Sequence, residues 1–379
     1  MQNQGYIRSL DGVRALAILL VMTYHADLTR FGWTGVQLFF VLSGYLITGI
    51  LWKEKDREGE LGYKFKKFWV RRSLRIFPLY FGYLAFLGIS WFLFNFPNYY
   101  ATYIPWLSTY TFNYTRTLAA WQGNPLFTHL WSLSVEEQFY LFFPLIVLLL
   151  PKRFTRGFMI AIVIIAPLIR YGLGLYYSRR GFAPEVVGDA VYWNTLTHLD
   201  AFFIGGLIPV CALDNSVRRP GRWLLVSLTL AVGAGLADFM VSGSTDYFTG
   251  LGYEHAQTFH LEHVWQYTCL NLVFASLILS LVSLHNRDRL KWLRRLLEHS
   301  WLVRIGRVSY GMYVFHWAIL VYFYARFFHS THFGLRLLLF IPYVALVYLF
   351  AELSYRFYEV RFLKWKDRFF PASKEKRDR

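Results

Sequence analysis

Apolar runs, broken by short polar and basic segments, recur along nearly the whole chain. A helix needs roughly 20 apolar residues to cross a bilayer core. Read in windows of that length, the pattern predicts about ten spans. They fall near residues 10–27, 36–52, 76–96, 134–150, 157–176, 196–213, 222–240, 265–284, 307–327 and 334–358. The expected fold class is all-α, a polytopic membrane protein, and no internal repeat stands out.

The first span is apolar yet carries Asp11, Arg14 and His25. Ionisable residues inside membrane helices are costly and mark candidate sites. Arg14 and His25 are eleven residues apart, three turns plus about 20°, so they share a face about 16 Å apart along the axis. Asp11 lies three residues before Arg14 and is able to pair with it. Arg14 therefore reads either as a site residue or as a snorkelling or paired structural group. His25 reads as a site residue or an interfacial one.

Composition supports the membrane class. The chain is 56% hydrophobic and only 17% charged, against roughly 25% charged in soluble domains, and its mean hydropathy is +0.33. The net charge of +17 does not point to nucleic acid, because the cations fall in blocks between apolar runs. Segment 53–75 is basic, as are Lys152, Arg153 and Arg156, Arg218, Arg219 and Arg222, Arg287 to Arg295, and the tail after Arg361. Segment 97–133 has only Arg116, and 241–264 has neither Lys nor Arg. With basic loops inside, both termini are expected in the cytoplasm, against the vote of Arg179 and Arg180. Arg14 then lies in the inner half of the membrane and His25 towards the outer face. Cys211 and Cys269 offer neither a disulfide framework nor metal spacing, and no cleavable signal peptide is expected.

Other polar residues follow from this frame. Ser43-Gly44 in the second span reads as a close helix contact. Arg71, Arg72 and Arg75 cluster at the start of the third span, suited to gripping phosphate or serving as an ordinary basic flank. Segment 97–133, rich in Tyr, Trp, Asn and Thr, suits a sugar or an interfacial aromatic belt. After Trp131, Glu136 and Glu137 point about 100° apart, so one of them is expected to face the bundle; a carboxylate there would orient His25. Asp200 reads as a helix N-terminal carboxylate or a site residue, and His316 as a second imidazole or a polar group bonding a neighbouring helix. His255, His260, Glu262 and His263 match no zinc signature, and no metal is expected.

The motifs Leu10-Asp-Gly-Val-Arg14 with His25, Gly35 to Gly44, Arg72-Ser-Leu-Arg-Ile-Phe-Pro78, Leu130-Trp-Ser-Leu-Ser-Val-Glu136, Leu199-Asp-Ala201 and Ser309 to His316 run in order over nearly the full length. Together they resemble the membrane acyltransferase-3 family, integral membrane O-acyltransferases of bacterial surface polysaccharides. The resemblance implies a multi-pass protein of the bacterial inner membrane in which His25 is essential and the arginines serve the acyl donor. It places the family Glu on Glu136. Two positions depart from the pattern: Gln37 stands where an acidic residue is usual, and Glu359-Val-Arg361 replaces Glu-x-Pro. The expected organisation is a transmembrane domain over 1–365 and a basic tail over 366–379, without an esterase-like domain.

The mechanism expected from sequence has acyl-CoA, most simply acetyl-CoA, bound from the cytoplasm by Arg72 and Arg75 with Arg71 and Arg14. His25, as general base or transient acyl carrier, and Glu136, orienting it, carry the chemistry on a glycan or other hydroxyl acceptor, supported by Asp11, Ser43, Trp131, Asp200, Tyr310 and His316. A transporter or flippase using Arg14, His25 and Glu136 as a substrate or proton path is the rival class.

Overall fold

A close helix contact in the centre is made by glycines. Gly44 and Gly205 face each other's helices so closely that a Cβ at Gly44 would lie 2.1 Å from the Phe202 carbonyl oxygen, and one at Gly205 would lie 2.0 Å from that of Val41. Small residues let apolar helices approach where lipid gives no hydrophobic drive between them. The close contact expected at Ser43-Gly44 is therefore made by Gly44, with Ser43 left free for polar work.

The computed structural model describes residues 6–119, 121–242, 250–256, 258, 260–283, 290–324 and 332–370, and these form helices and connecting turns with no strand among them. Arg287 and Arg289 of one basic block, and the tail beyond residue 370, lie outside the described residues. The principal helices are α1 (Arg8–His25), α2 (Thr34–Lys55), α3 (Leu61–Phe94), α4 (Trp131–Leu149) and α5 (Lys152–Arg179). They continue with α6 (Leu199–Val210), α7 (Pro220–Ser242), α8 (Glu262–Val282), α9 (Ser309–Ile319) and α10 (Phe333–Ser354). Seven helical stretches among the described residues, those holding α2, α3, α4, α5, α7, α8 and α10, are long and apolar enough to cross a membrane. α1 is long enough but too charged, and α6 and α9 are short.

Burial sorts these helices into an inner and an outer set. In α2, 72% of the most apolar window is buried, against 11% in α7 and in the α10 stretch. α7 and α10 thus turn apolar side chains outward, as lipid-facing helices do, while α1 and α2 sit in the interior.

Two further arrangements place the site. Segment 97–133 is not an open loop: it folds into helices Tyr100–Ser108, Phe112–Thr117 and Pro125–Thr128 and buries Tyr103, Leu107, Phe112 and Phe127. Tyrosines lace it to α3, with Tyr80 donating to the Leu107 carbonyl at 2.8 Å and Tyr83 to that of Leu126 at 2.7 Å. At the opposite end of the bundle, the Lys55 ammonium donates to the carbonyls of Val147 and Leu150, each at 2.6 Å, and of Leu148 at 3.1 Å. A cation there satisfies carbonyls that the end of α4 leaves without intrahelical partners.

Candidate active site

α1 carries two polar side chains to two different cavities. His25, at its last residue, lines a cavity of about 590 Å³. Arg14, three turns earlier, lines a slot of about 90 Å³. Val36 and Tyr313 border both, so a single layer of side chains separates them.

The slot is cationic. Arg14, Arg72 and Arg75 line it together with Ser43, Glu136, Tyr140, Ser309 and Tyr310. Arg14 also pairs with Asp11, which accepts from Tyr6 as well; Asp11 is thus the structural partner that the sequence spacing offered. Arg72 lies over the Tyr140 ring, 4.7 Å from its centre. Glu136 accepts from Tyr140 and, at 2.5 Å, from the Ser43 hydroxyl. Tyr310 donates to the Ile76 carbonyl at 2.9 Å, fixing α9 against the arginine-bearing stretch of α3. Arg71 points elsewhere, donating to the Phe370 carbonyl at 3.2 Å, and is not part of the slot lining.

The larger cavity is aromatic and mixed in charge. Trp33, Trp131, Tyr192, Trp193 and Trp317 form walls, with Trp131 and Trp193 stacked 5.7 Å apart and 3° from parallel. Arg30, Asp189, Glu254, His129 and His255 supply polar groups. Arg30 pairs with Glu254 at 3.6 Å and Asp189 with Arg116 at 2.9 Å. Burial pushes the His255 imidazole below its ordinary range, against the pull of Asp189. A volume of this size falls within the range of about 300–1,000 Å³ typical of small-molecule sites. Flat aromatic walls with a few fixed polar groups suit a sugar ring.

Around His25 the partners are aromatic. Its ring lies 4.4 Å from that of Trp317 and 5.2 Å from that of His316, centre to centre. His316 in turn lies 5.1 Å from His129. Glu136 is not in this group, contrary to the expectation that it orients His25. The reason is axial: it lies five residues beyond Trp131 along α4, about 7.5 Å at helical rise, so Trp131 reaches the His25 cavity while Glu136 reaches the slot.

Other expected residues have structural places. Asp200 lines neither cavity. It pairs at 3.0 Å with Arg170, both fully buried, and accepts from Thr268 at 2.5 Å and from the Ala201 N–H at 3.0 Å. Arg170 also donates to the carbonyls of Thr197, at 2.7 Å, and Val264. Gln37 donates to His198 Nδ1 at 3.1 Å, and His198 Nε2 meets the Tyr192 carbonyl, so a neutral amide fits where an acidic residue is usual. His255 lines the larger cavity. Asp238, His260 and Glu262 bring ligand-type atoms within 4.8 Å of one another, but Glu262 already accepts from the His260 N–H at 2.8 Å.

Sequence reasoning missed His129, Arg170, Asp189 and Glu254. Arg170 carried a usable signal, a lone cation within the apolar run around Pro167. His129 and Glu254 come to the cavity from connections between helices, and Asp189 from the short helix Pro184–Trp193, where no long apolar period points to them.

Comparison with known proteins agrees with the geometry. The family described as "Acyltransferase domain" matches residues 7–356. The chain belongs to this family. A Staphylococcus aureus (strain COL) protein named "Putative O-acetyltransferase SACOL0978" is 30% identical over 404 residues, which cover 98% of this chain and 60% of that protein. "O-acetyltransferase OatA" of S. aureus (strain NCTC 8325 / PS 47) is 28% identical over 385 residues, 95% of this chain and 57% of the relative. The chain thus spans about 60% of the length of the curated relatives it matches. No solved structure matches it.

Proposed function

We propose that this protein is a membrane O-acetyltransferase that moves an acetyl group from cytoplasmic acetyl-CoA to a sugar hydroxyl at the outer face. One observation carries the reading: a three-arginine slot and a histidine-bearing aromatic cavity meet at Val36 and Tyr313. In this reading the chain crosses the bacterial inner membrane about ten times with both termini inside, following its loop charges.

The slot, at about 90 Å³, fits a thin chain rather than a nucleotide. The acyl-pantetheine arm enters it while the phosphates stay at its mouth with Arg72 and Arg75, whose planar donor forks match phosphate oxygens. The sugar lies against the Trp131 and Trp193 walls and presents a hydroxyl to His25. His25 takes the hydroxyl proton as the oxygen attacks the thioester carbon, and returns it to the sulfur as the C–S bond breaks. Glu136 acts on the donor side, holding Ser43 and Tyr140.

Sealed vesicles holding the protein, with acetyl-CoA on one side and a glycan acceptor on the other, test this. Free CoA on the donor side and acetylated glycan on the acceptor side are expected. General-base assistance is worth about 10²- to 10⁴-fold, and His25→Ala should lose that much. A transporter would release no free CoA, and that result would end the reading.

A further inference from the structure

A histidine that acts as general base needs its proton held on one known nitrogen, and the usual holder is a carboxylate or carbonyl bonded to the other nitrogen. The charged and titratable groups acting on His25 are His316, His129 and His255, with no carboxylate among them. The only other imidazole in ring contact with His25 among the described residues is His316, on α9.

The protonation pattern of His316 follows from its own bonds. Its Nδ1 lies 2.6 Å from the Tyr313 carbonyl oxygen. A carbonyl only accepts, so Nδ1 carries the hydrogen and, in the neutral ring, Nε2 carries a bare lone pair. That Nε2 is fully buried and has no partner. Buried polar atoms are nearly always paired, and an unpaired one calls for an explanation. His129 is engaged with main-chain carbonyls, its Nε2 3.2 Å from that of Val314 and its ring also bonded to that of Pro125. His316 thus presents a bare acceptor and no free N–H, and His25 is an imidazole in ring contact with it.

We infer that His316 is the positioning residue of this site: its Nε2 accepts the far N–H of His25, fixing the tautomer that turns the lone pair of His25 to the acceptor hydroxyl. The inference rests on the acetyl-transfer reading for its chemistry but not for its geometry. During transfer the hydroxyl proton moves to the cavity-facing nitrogen of His25 while the proton on the far nitrogen stays shared with His316 Nε2. When the C–S bond breaks, the first proton passes to the thiolate, and both rings return to their starting state. Trp317, its ring centre 4.4 Å from that of His25 and tilted 50° to it, packs against the same ring and limits its rotation.

The test uses the intact protein with ¹⁵N-labelled histidine, comparing wild type, His316→Ala and His316→Gln. In wild type the ring nitrogens of His25, assigned by their loss in His25→Ala, should give the signals of a single tautomer. In His316→Ala they should move to tautomer-averaged values. The kcat for acetyl transfer should fall about 10²-fold or more while KM for donor and acceptor stays within two-fold. His316→Gln, whose amide oxygen accepts a hydrogen bond, should recover at least a tenth of the lost kcat and restore the single tautomer. Unchanged His25 signals in both variants, or near-normal kcat in His316→Ala, would overturn the inference. If His316→Ala does not fold, the spectrum of His316→Gln decides alone, and averaged His25 signals there count against the pairing. Because the spectra need no turnover, a wild-type protein that transfers no acetyl group would sink the proposed function and leave the His25–His316 pairing separately readable.

Discussion

The Tyr313 hydroxyl donates to the His129 main-chain carbonyl at 2.8 Å, and Ser132 Oγ meets the same hydroxyl at 2.5 Å. Tyr313 therefore stands as a pinned partition: its ring borders both cavities, and its hydroxyl is tied to the start of α4 and the turn before it.

If the thioester must reach His25 past this partition, the partition sets acyl length. Tyr313→Ala should raise the rate with butyryl-CoA relative to acetyl-CoA at least several-fold, read as CoA thiol release across an acyl series. Val36→Ala should act in the same direction more weakly. An unchanged preference in both variants would place the length filter elsewhere.

The arginines should separate by position rather than by charge. Hydrogen bonds to charged groups are worth about 1.5–3 kcal/mol, so Arg72→Ala or Arg75→Ala should raise KM for acyl-CoA by roughly ten-fold or more. Arg71→Ala should leave it within two-fold, since that side chain is engaged with the Phe370 carbonyl. Equal effects at all three would indicate a diffuse basic flank. Glu136→Gln should reduce transfer without altering the tautomer of His25, because the two residues open to different cavities.

Arg170 and Asp200 should behave as a stability pair. Removing one member of a buried ion pair costs about 3–5 kcal/mol, because the other charge is stranded. Arg170→Met should therefore lower the melting temperature in detergent markedly. The double variant Arg170→Met with Asp200→Asn should recover part of the loss. Additive losses would mean that the two are not coupled.

His255 gives a pH dependence with a definite sign. Burial holds its imidazole below the ordinary value near 6.5, so the unfolded chain binds its proton first as pH falls. Its contribution to stability is present above about pH 6.5 and is lost below it. Melting curves at pH 7.5 and 5.5 should differ less for His255→Asn than for wild type.

What was legible in the sequence followed the periodicity of single elements. Arg14 and His25 were placeable because both sit on one helix, where the spacing fixes face and separation. Gly44 was legible for the same reason. Glu136 was misplaced because its depth depends on where α4 begins and on how that helix docks, which the spacing within α4 does not reveal. His129 and Glu254 were silent because they sit in connections between helices, and Asp189 because it lies on a short helix, Pro184–Trp193; only tertiary packing brings them to one wall. Gln37 read as a lost charge, whereas its meaning lay in His198, 161 positions away.

Lys55 belongs to the basic block from which segment 53–75 is expected on the cytoplasmic side, and the same ammonium closes the end of α4 through three carbonyls. On the proposed topology one atom serves two stages of the protein's life, first as a sign read during insertion and later as a clasp between helices. Neutralising it while preserving length, as Lys55→Met does, would leave the remaining cations to set direction and remove only the clasp. Biogenesis and assembly are separable at this position, and that variant would arrive in the membrane the right way round with α4 loosened at its end.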